Sequence, residues 1–131
     1  MINREIIDPE SVVVVGGSDD VFKPGGAVLR NLIESPFEGA VYVVNPKSDN
    51  VQGAKTFRTV EELPQVECAV LAIAAKYCLA AVETLAREKG TRGFVILSAG
   101  FGEESAEGAE LERKIVEIID SVGGALIGPN C

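Results

Sequence analysis

Short unbroken apolar runs alternate along this chain with longer stretches in which apolar residues recur every three or four positions. Residues 12–15 are consecutive valines between Ser11 and Gly16, and residues 68–73 and 94–97 are continuous apolar runs as well. A strand with one wet face would alternate apolar and polar side chains, so these runs predict strands covered on both faces. Ala40–Val44 and Ala125–Ile127 complete the set. Between them, Val28, Leu29, Leu32 and Ile33 share one helical face, as do Leu79, Val82, Leu85 and Ala86, and then Leu111, Ile115, Ile118, Ile119 and Val122. Gly90 stops the middle helix, and Gly123-Gly124 turns the last one into the final strand. Thr59 and Glu62 have the spacing of a capping box, opening a helix that Pro64 cuts short. Residues 1–10 read as a surface lead-in, and Lys55-Thr56-Phe57 as a short connecting segment.

Strands alternating with helices predict parallel pairing through right-handed crossovers, hence an α/β, doubly wound, three-layer fold with a mostly parallel sheet. Ligands of such sheets bind beyond the carboxyl ends of the strands, beside the first one. The strand exits that should converge there are Gly16-Gly17-Ser18, Asn45-Pro46-Lys47, Ile73-Ala74-Ala75-Lys76, Ser98-Ala99-Gly100 and Gly128-Pro129-Asn130. Lys47 and Lys76 are cations, and no strand tip carries an acid, which selects for an anion.

The first of these exits has the strongest chemistry. After the valine strand come glycines at 16, 17, 25 and 26, with Lys23 and Pro24 before the predicted helix at Ala27. Strand, glycine-rich loop and helix make a nucleotide-phosphate site, because glycines let the backbone approach a phosphate and the free amides of the helix start face it. The spacing is neither G-x-G-x-x-G nor a Walker A loop, and a plain strand-to-helix turn is the alternative. An NAD site would place an acid after the second strand; Asn45 and Lys47 stand there instead. A cation at that point suits an extra ribose phosphate, as in NADP or coenzyme A, whereas a simple polar turn is the bland alternative.

With 131 residues, 47% hydrophobic and only 5% aromatic, the chain is sized for a single domain, residues 1–131, with an aliphatic core. Twelve basic against 20 acidic residues give a net charge of −8, which opposes nucleic acid as a partner. No apolar run reaches membrane-spanning length and the start lacks a signal-peptide pattern, so a cytoplasmic protein with no membrane partner is expected. Cys68, Cys78 and Cys131 form no C-x-x-C pair and histidine is absent, which predicts neither a disulfide framework nor a metal site. No catalytic residue is assigned: Cys131 has no histidine to activate it.

Taken in order, Val14-Val-Gly-Gly-Ser18, Lys23-Pro-Gly-Gly26, Val44-Asn-Pro-Lys47, Ile96-Leu-Ser-Ala-Gly-Phe101 and Gly128-Pro-Asn-Cys131 resemble the CoA-binding domain of the NDP-forming acyl-CoA synthetases, relatives of the succinyl-CoA synthetase alpha subunit. The resemblance spans nearly the whole chain and implies a Rossmann-like domain that binds coenzyme A or acyl-CoA. It implies that the loop at Gly16, Gly17, Ser18, Lys23 and Gly25 and the Asn45, Pro46 and Lys47 turn meet the nucleotide phosphates. Ser98, Ala99, Gly100 and Asn130 would then follow the pantetheine or its thiol. Where relatives usually have Val-Pro, this chain has Ala74-Ala75, the corresponding contact. The family's reaction, acyl-CoA with NDP and phosphate giving acid, NTP and CoA, passes through a histidine on a following domain. The expectation is therefore an N-terminal CoA-binding part of a longer synthetase subunit, which binds but does not react alone and works with the remaining synthetase domains or subunits. A free-standing CoA or nucleotide-binding regulator, and an NADP-binding oxidoreductase domain, are the alternatives.

Overall fold

A computed structural model describes residues 3–98, 100–101 and 105–129. Its strands are β1 (Ser11–Val15), β2 (Ala40–Val44), β3 (Asn50–Val51), β4 (Ala54–Phe57), β5 (Cys68–Leu71), β6 (Gly93–Ile96) and β7 (Ala125–Ile127), and its helices are α1 (Arg4–Ile7), α2 (Pro24–Glu34), α3 (Ala75–Glu88) and α4 (Ala106–Ser121). They form one sheet in the order β3-β4-β2-β1-β5-β6-β7, in which every pairing is parallel except β3 with β4. Setting the small β3 aside, this is the strand order of a dinucleotide-binding fold, and the order reverses between β1 and β5.

The valine run is the centre of the molecule because helices cover both its faces. Val13 and Val15 pack with Ala69, Leu71, Phe94 and Ile96 against Val82 and Leu85 of α3 and Ile115 and Ile119 of α4. Val14 packs with Val43 against Leu29 of α2, and Val12 joins Cys68 and Val70 beneath Val28 and Leu32 of the same helix. All of Val12–Val15 are at most 4% exposed, the double burial that their lack of alternation predicts.

Several local expectations are corrected. The lead-in contains α1, whose Asn3 caps the Ile6 amide at 3.1 Å and donates to the Arg92 carbonyl at 2.9 Å. α2 starts at Pro24, so Gly25 and Gly26 belong to its first turn rather than to the loop; proline's fixed φ suits that first helical position. Lys55-Thr56-Phe57 lies in β4, which pairs with β2 and is turned back on β3 through Gln52 and Gly53. The capping box does not close: Glu62 accepts from the Arg58 amide at 3.1 Å, the Thr59 hydroxyl caps nothing, and the result is a 3-10 turn over Val60–Glu62. β5 ends at Leu71, leaving Ala72 and Ile73 to line the strand exit.

Candidate functional site

The crevice between β1 and β5 is floored by backbone. Gly16 has φ +93°, and a side chain there would start 2.4 Å from the Ala72 carbonyl oxygen; one on Gly25 would start 2.1 Å from the oxygen of Gly16. Glycine is required at both places because the β1 exit, the β5 exit and the first turn of α2 touch main chain to main chain. Gly17 differs. It is buried, and its missing side chain would run into Val43 at 2.8 Å, so its smallness serves the core under α2 rather than the open side of the loop.

The turn that follows uses its own polar groups. The Ser18 hydroxyl accepts from the Asp20 amide and Asp20 Oδ1 from the Phe22 amide, each at 3.0 Å, while Asp19 Oδ1 accepts from the Gln52 amide at 2.8 Å. Both acids are thereby committed to shaping the turn. Lys23, exposed, stands at the N-cap of α2 without a side-chain cap, and Pro24 follows, so the dipole of an eleven-residue helix opens toward the loop.

Asn45 joins the β2 exit to this loop. Its Nδ2 donates to the Gly17 carbonyl at 3.0 Å and its Oδ1 accepts from the Lys47 amide at 2.8 Å. Pro46 and Lys47 are exposed, and neither Lys23 nor Lys47 has an ion-pair partner among the described residues. Beside Pro46 lies an open cleft of about 510 Å³, bounded by Val44, Arg58, Val60, Ile73 and Tyr77. Arg58 is fixed there by Asp49, with Nε 2.8 Å and Nη2 2.7 Å from Oδ1, and by the Pro46 carbonyl at 3.1 Å from Nη1. Tyr77, 59% exposed, carries the Lys76 ammonium over its ring at 5.2 Å.

The remaining exits meet on the other side of β5. Ser98 donates to the Ile73 carbonyl, Ala74 is the N-cap of α3, and a side chain on Gly100 would start 3.3 Å from the Cβ of Ala75. Ala99, Asn130 and Cys131 lie outside the described residues. Cys78 reaches Ser98 Oγ at 3.8 Å and is buried, and burial pushes its thiol above the usual range. Burial likewise pushes Cys68 up to about 11, so both thiols are protonated at neutral pH and lack the thiolate that chemistry would need. No cluster of metal-binding side chains occurs among the described residues.

A family model described as "CoA binding domain" matches residues 10–131. The chain belongs to that family. The CoA-binding domain is 38% identical over 128 residues to an ADP-forming acetate–CoA ligase II of Archaeoglobus fulgidus, covering 97% of this chain and 19% of the ligase. It is 40% identical to the alpha subunit of the ADP-forming acetate–CoA ligase II of Pyrococcus furiosus, covering 95% of this chain and 27% of the subunit. Among solved structures, a dinucleotide-forming acetyl-coenzyme A synthetase 1 of Ca. Korarchaeum cryptofilum, in complex with phosphate and ADP, superposes with a TM-score of 0.86 at 32% identity, covering 99% of this chain and 28% of that one. The CoA-binding domain thus spans under a third of the length of these relatives and corresponds to the CoA-binding region of ADP-forming acyl-CoA synthetases.

Sequence reasoning missed Arg58, Val60 and Tyr77 on the cleft, and Gln52 beneath the loop. Tyr77 carried a signal, an aromatic residue at a strand exit in an aromatic-poor chain. Gln52 carried none beyond the turn-forming Gly53 beside it.

Proposed function

We propose that coenzyme A lies across the carboxyl ends of the strands, with its diphosphate against the Gly16–Ser18 backbone and the open start of α2. Its 3′-phosphate pairs with Lys47, its adenine occupies the cleft between Pro46 and Tyr77, and its pantetheine runs past Ala74, Ala75 and Ser98 toward Gly100. The observation that carries this reading is the Asn45 bridge: a 3.0 Å bond to the Gly17 carbonyl ties the lysine-bearing turn directly to the glycine loop. Lys23 adds a second cation at the same helix start. Two lysines without acidic partners among the described residues, on a chain of net charge −8, are local exceptions that suit a polyanion.

The domain on this reading holds the CoA of a ligase that joins it to an acid at the expense of NTP, and the rest of the ligase supplies the chemistry. It contributes no histidine, and its described thiols are not nucleophiles. Its partners are acyl-CoA or CoA and the remaining synthetase domains. No described helix is long and apolar enough to cross a membrane, and the setting we infer is the cytoplasm, where unpaired thiols persist.

Calorimetric titration of CoA, dephospho-CoA and NAD into the chain and into Lys47→Ala tests the assignment. CoA should bind more tightly than dephospho-CoA by about tenfold, ~1.4 kcal/mol, as one exposed charge-assisted contact would give. Lys47→Ala should erase that preference, NAD should bind poorly to both proteins, and added salt should weaken CoA most. Equal affinity for CoA and dephospho-CoA in the unsubstituted chain removes Lys47 from the 3′-phosphate.

A further inference from the structure

The turn between β3 and β4 contains Gln52 at φ +52° and Gly53 at φ +81°. A two-residue hairpin loop with both φ values positive favours Asn-Gly or Gly-Gly, and a long side chain at its first position is a local cost. The fold carries that cost at the place where the hairpin touches the glycine loop. Gln52 Nε2 donates to the Ser18 carbonyl at 2.8 Å and to the Gly26 carbonyl at 3.0 Å, and the Gln52 amide donates to Asp19 Oδ1 at 2.8 Å. Its Oε1 is buried without a partner among the described residues. An orphaned acceptor and an unfavourable backbone angle are thus both retained in one residue, whose side-chain amide ties the loop after β1 to the first turn of α2.

The contact is tight on its other side too. A side chain on Gly26 would start 1.9 Å from the Asp20 carbonyl oxygen and 3.0 Å from that of Ser18, so the loop is folded directly onto the start of the helix. Gln52 closes this arrangement from outside, and its main chain holds the Asp19 carboxylate to the hairpin. Without the side-chain clasp, the Ser18–Asp20 segment would be free to change its curvature, with only the Gln52 main-chain amide left to hold the Asp19 carboxylate.

We propose that Gln52 is a positioning residue for the CoA phosphates: it fixes the curvature of the Gly16–Gly26 loop and holds the Asp19 charge aside without touching ligand. The inference rests on reading that loop as the diphosphate site. It separates from simple hairpin stability because the backbone's preference and the side chain's duty point to different residues.

Gln52→Gly suits the turn better than glutamine does but removes the amide; Gln52→Asn keeps an amide and tolerates positive φ; Gln52→Glu keeps the length and loses both donors. The readouts are the thermal midpoint, the calorimetric affinities for CoA and dephospho-CoA, and amide hydrogen exchange across residues 16–26. Gln52→Gly should keep or raise the midpoint, lose roughly tenfold in affinity for both ligands alike, and exchange faster in the loop. Gln52→Glu should bind at least as weakly, and Gln52→Asn should recover part of the loss. Unchanged affinity in Gln52→Gly, or a lower midpoint with no change in affinity, overturns the positioning role. Failure of the unsubstituted chain to bind either ligand overturns the diphosphate reading and this inference with it, while faster loop exchange in Gln52→Gly would still register the clasp.

Discussion

The Gly25 position shows how closely the glycine loop is built. A methyl group there would start 2.1 Å from the Gly16 carbonyl oxygen, and main chain cannot yield as the end of a flexible side chain can. Gly25→Ala should destabilise the fold by about 1–3 kcal/mol, the range of overpacked sites, as read by denaturant titration. Loss of ligand binding without loss of stability would mean that the loop, not the fold, absorbs the strain. Gly17→Val is a poorer probe of a phosphate, because its side chain would strike Val43 before it reached any ligand. Gly16, Gly17, Asn45 and Lys47 could be placed at strand exits from the sequence because residue type and nearness to a strand are local facts, whereas Gly25 and Gly26 fall in the first turn of α2. The role of Gln52 was not legible, because its side-chain partners lie 34 and 26 residues away and nothing in its neighbours announces them. The role of Asn45 was half legible: its place was evident, while its use in bracing Gly17 is a tertiary contact.

At the scale of elements, the long periodic helices and the doubly buried strands were readable from hydrophobic spacing, and the short elements were not. β3 is two residues long, too short for any period, and exists because β4 offers it an edge. α1 buries none of its residues and is held by distant polar contacts. Arg4 Nη2 meets Glu67 Oε2 at 3.0 Å, and Glu67 Oε1 accepts from the Glu10 amide at 3.0 Å. The Arg4 hydrogen bond, then the Glu10 amide, hold the Glu67 carboxyl below its usual range. A lowered folded value means that the stabilisation is present above the unfolded carboxylate pKa and is lost as pH falls through the folded one. The pair is exposed and screened by solvent, so its contribution to stability is small. The Glu10 amide resonance should therefore titrate with a midpoint below the ordinary carboxylate range, and Glu67→Gln should abolish that titration. A midpoint within or above the ordinary carboxylate range would show that the contact is not maintained in solution.

Over the whole molecule, the parallel pairing of β2, β1, β5 and β6 brings residues distant in sequence together at the carboxyl ends of the strands. Gly16 reaches Ala72, Asn45 reaches Gly17, and Ser98 reaches Ile73. The alternation of strands and helices made that convergence predictable, because ligand sites of such sheets follow from topology. The cleft beside Pro46 was not predictable, since Arg58 and Tyr77 meet there only after β4 pairs with β2 and α3 packs on the sheet. The bracing of the glycine loop has a consequence in time as well as in space. A loop held by Asn45 on one side and Gln52 on the other is braced in one shape, and the expectation is that no opening step precedes ligand entry. Stopped-flow mixing should then show an observed association rate that climbs in proportion to CoA concentration, whereas a plateau would reveal a slow opening step that gates entry.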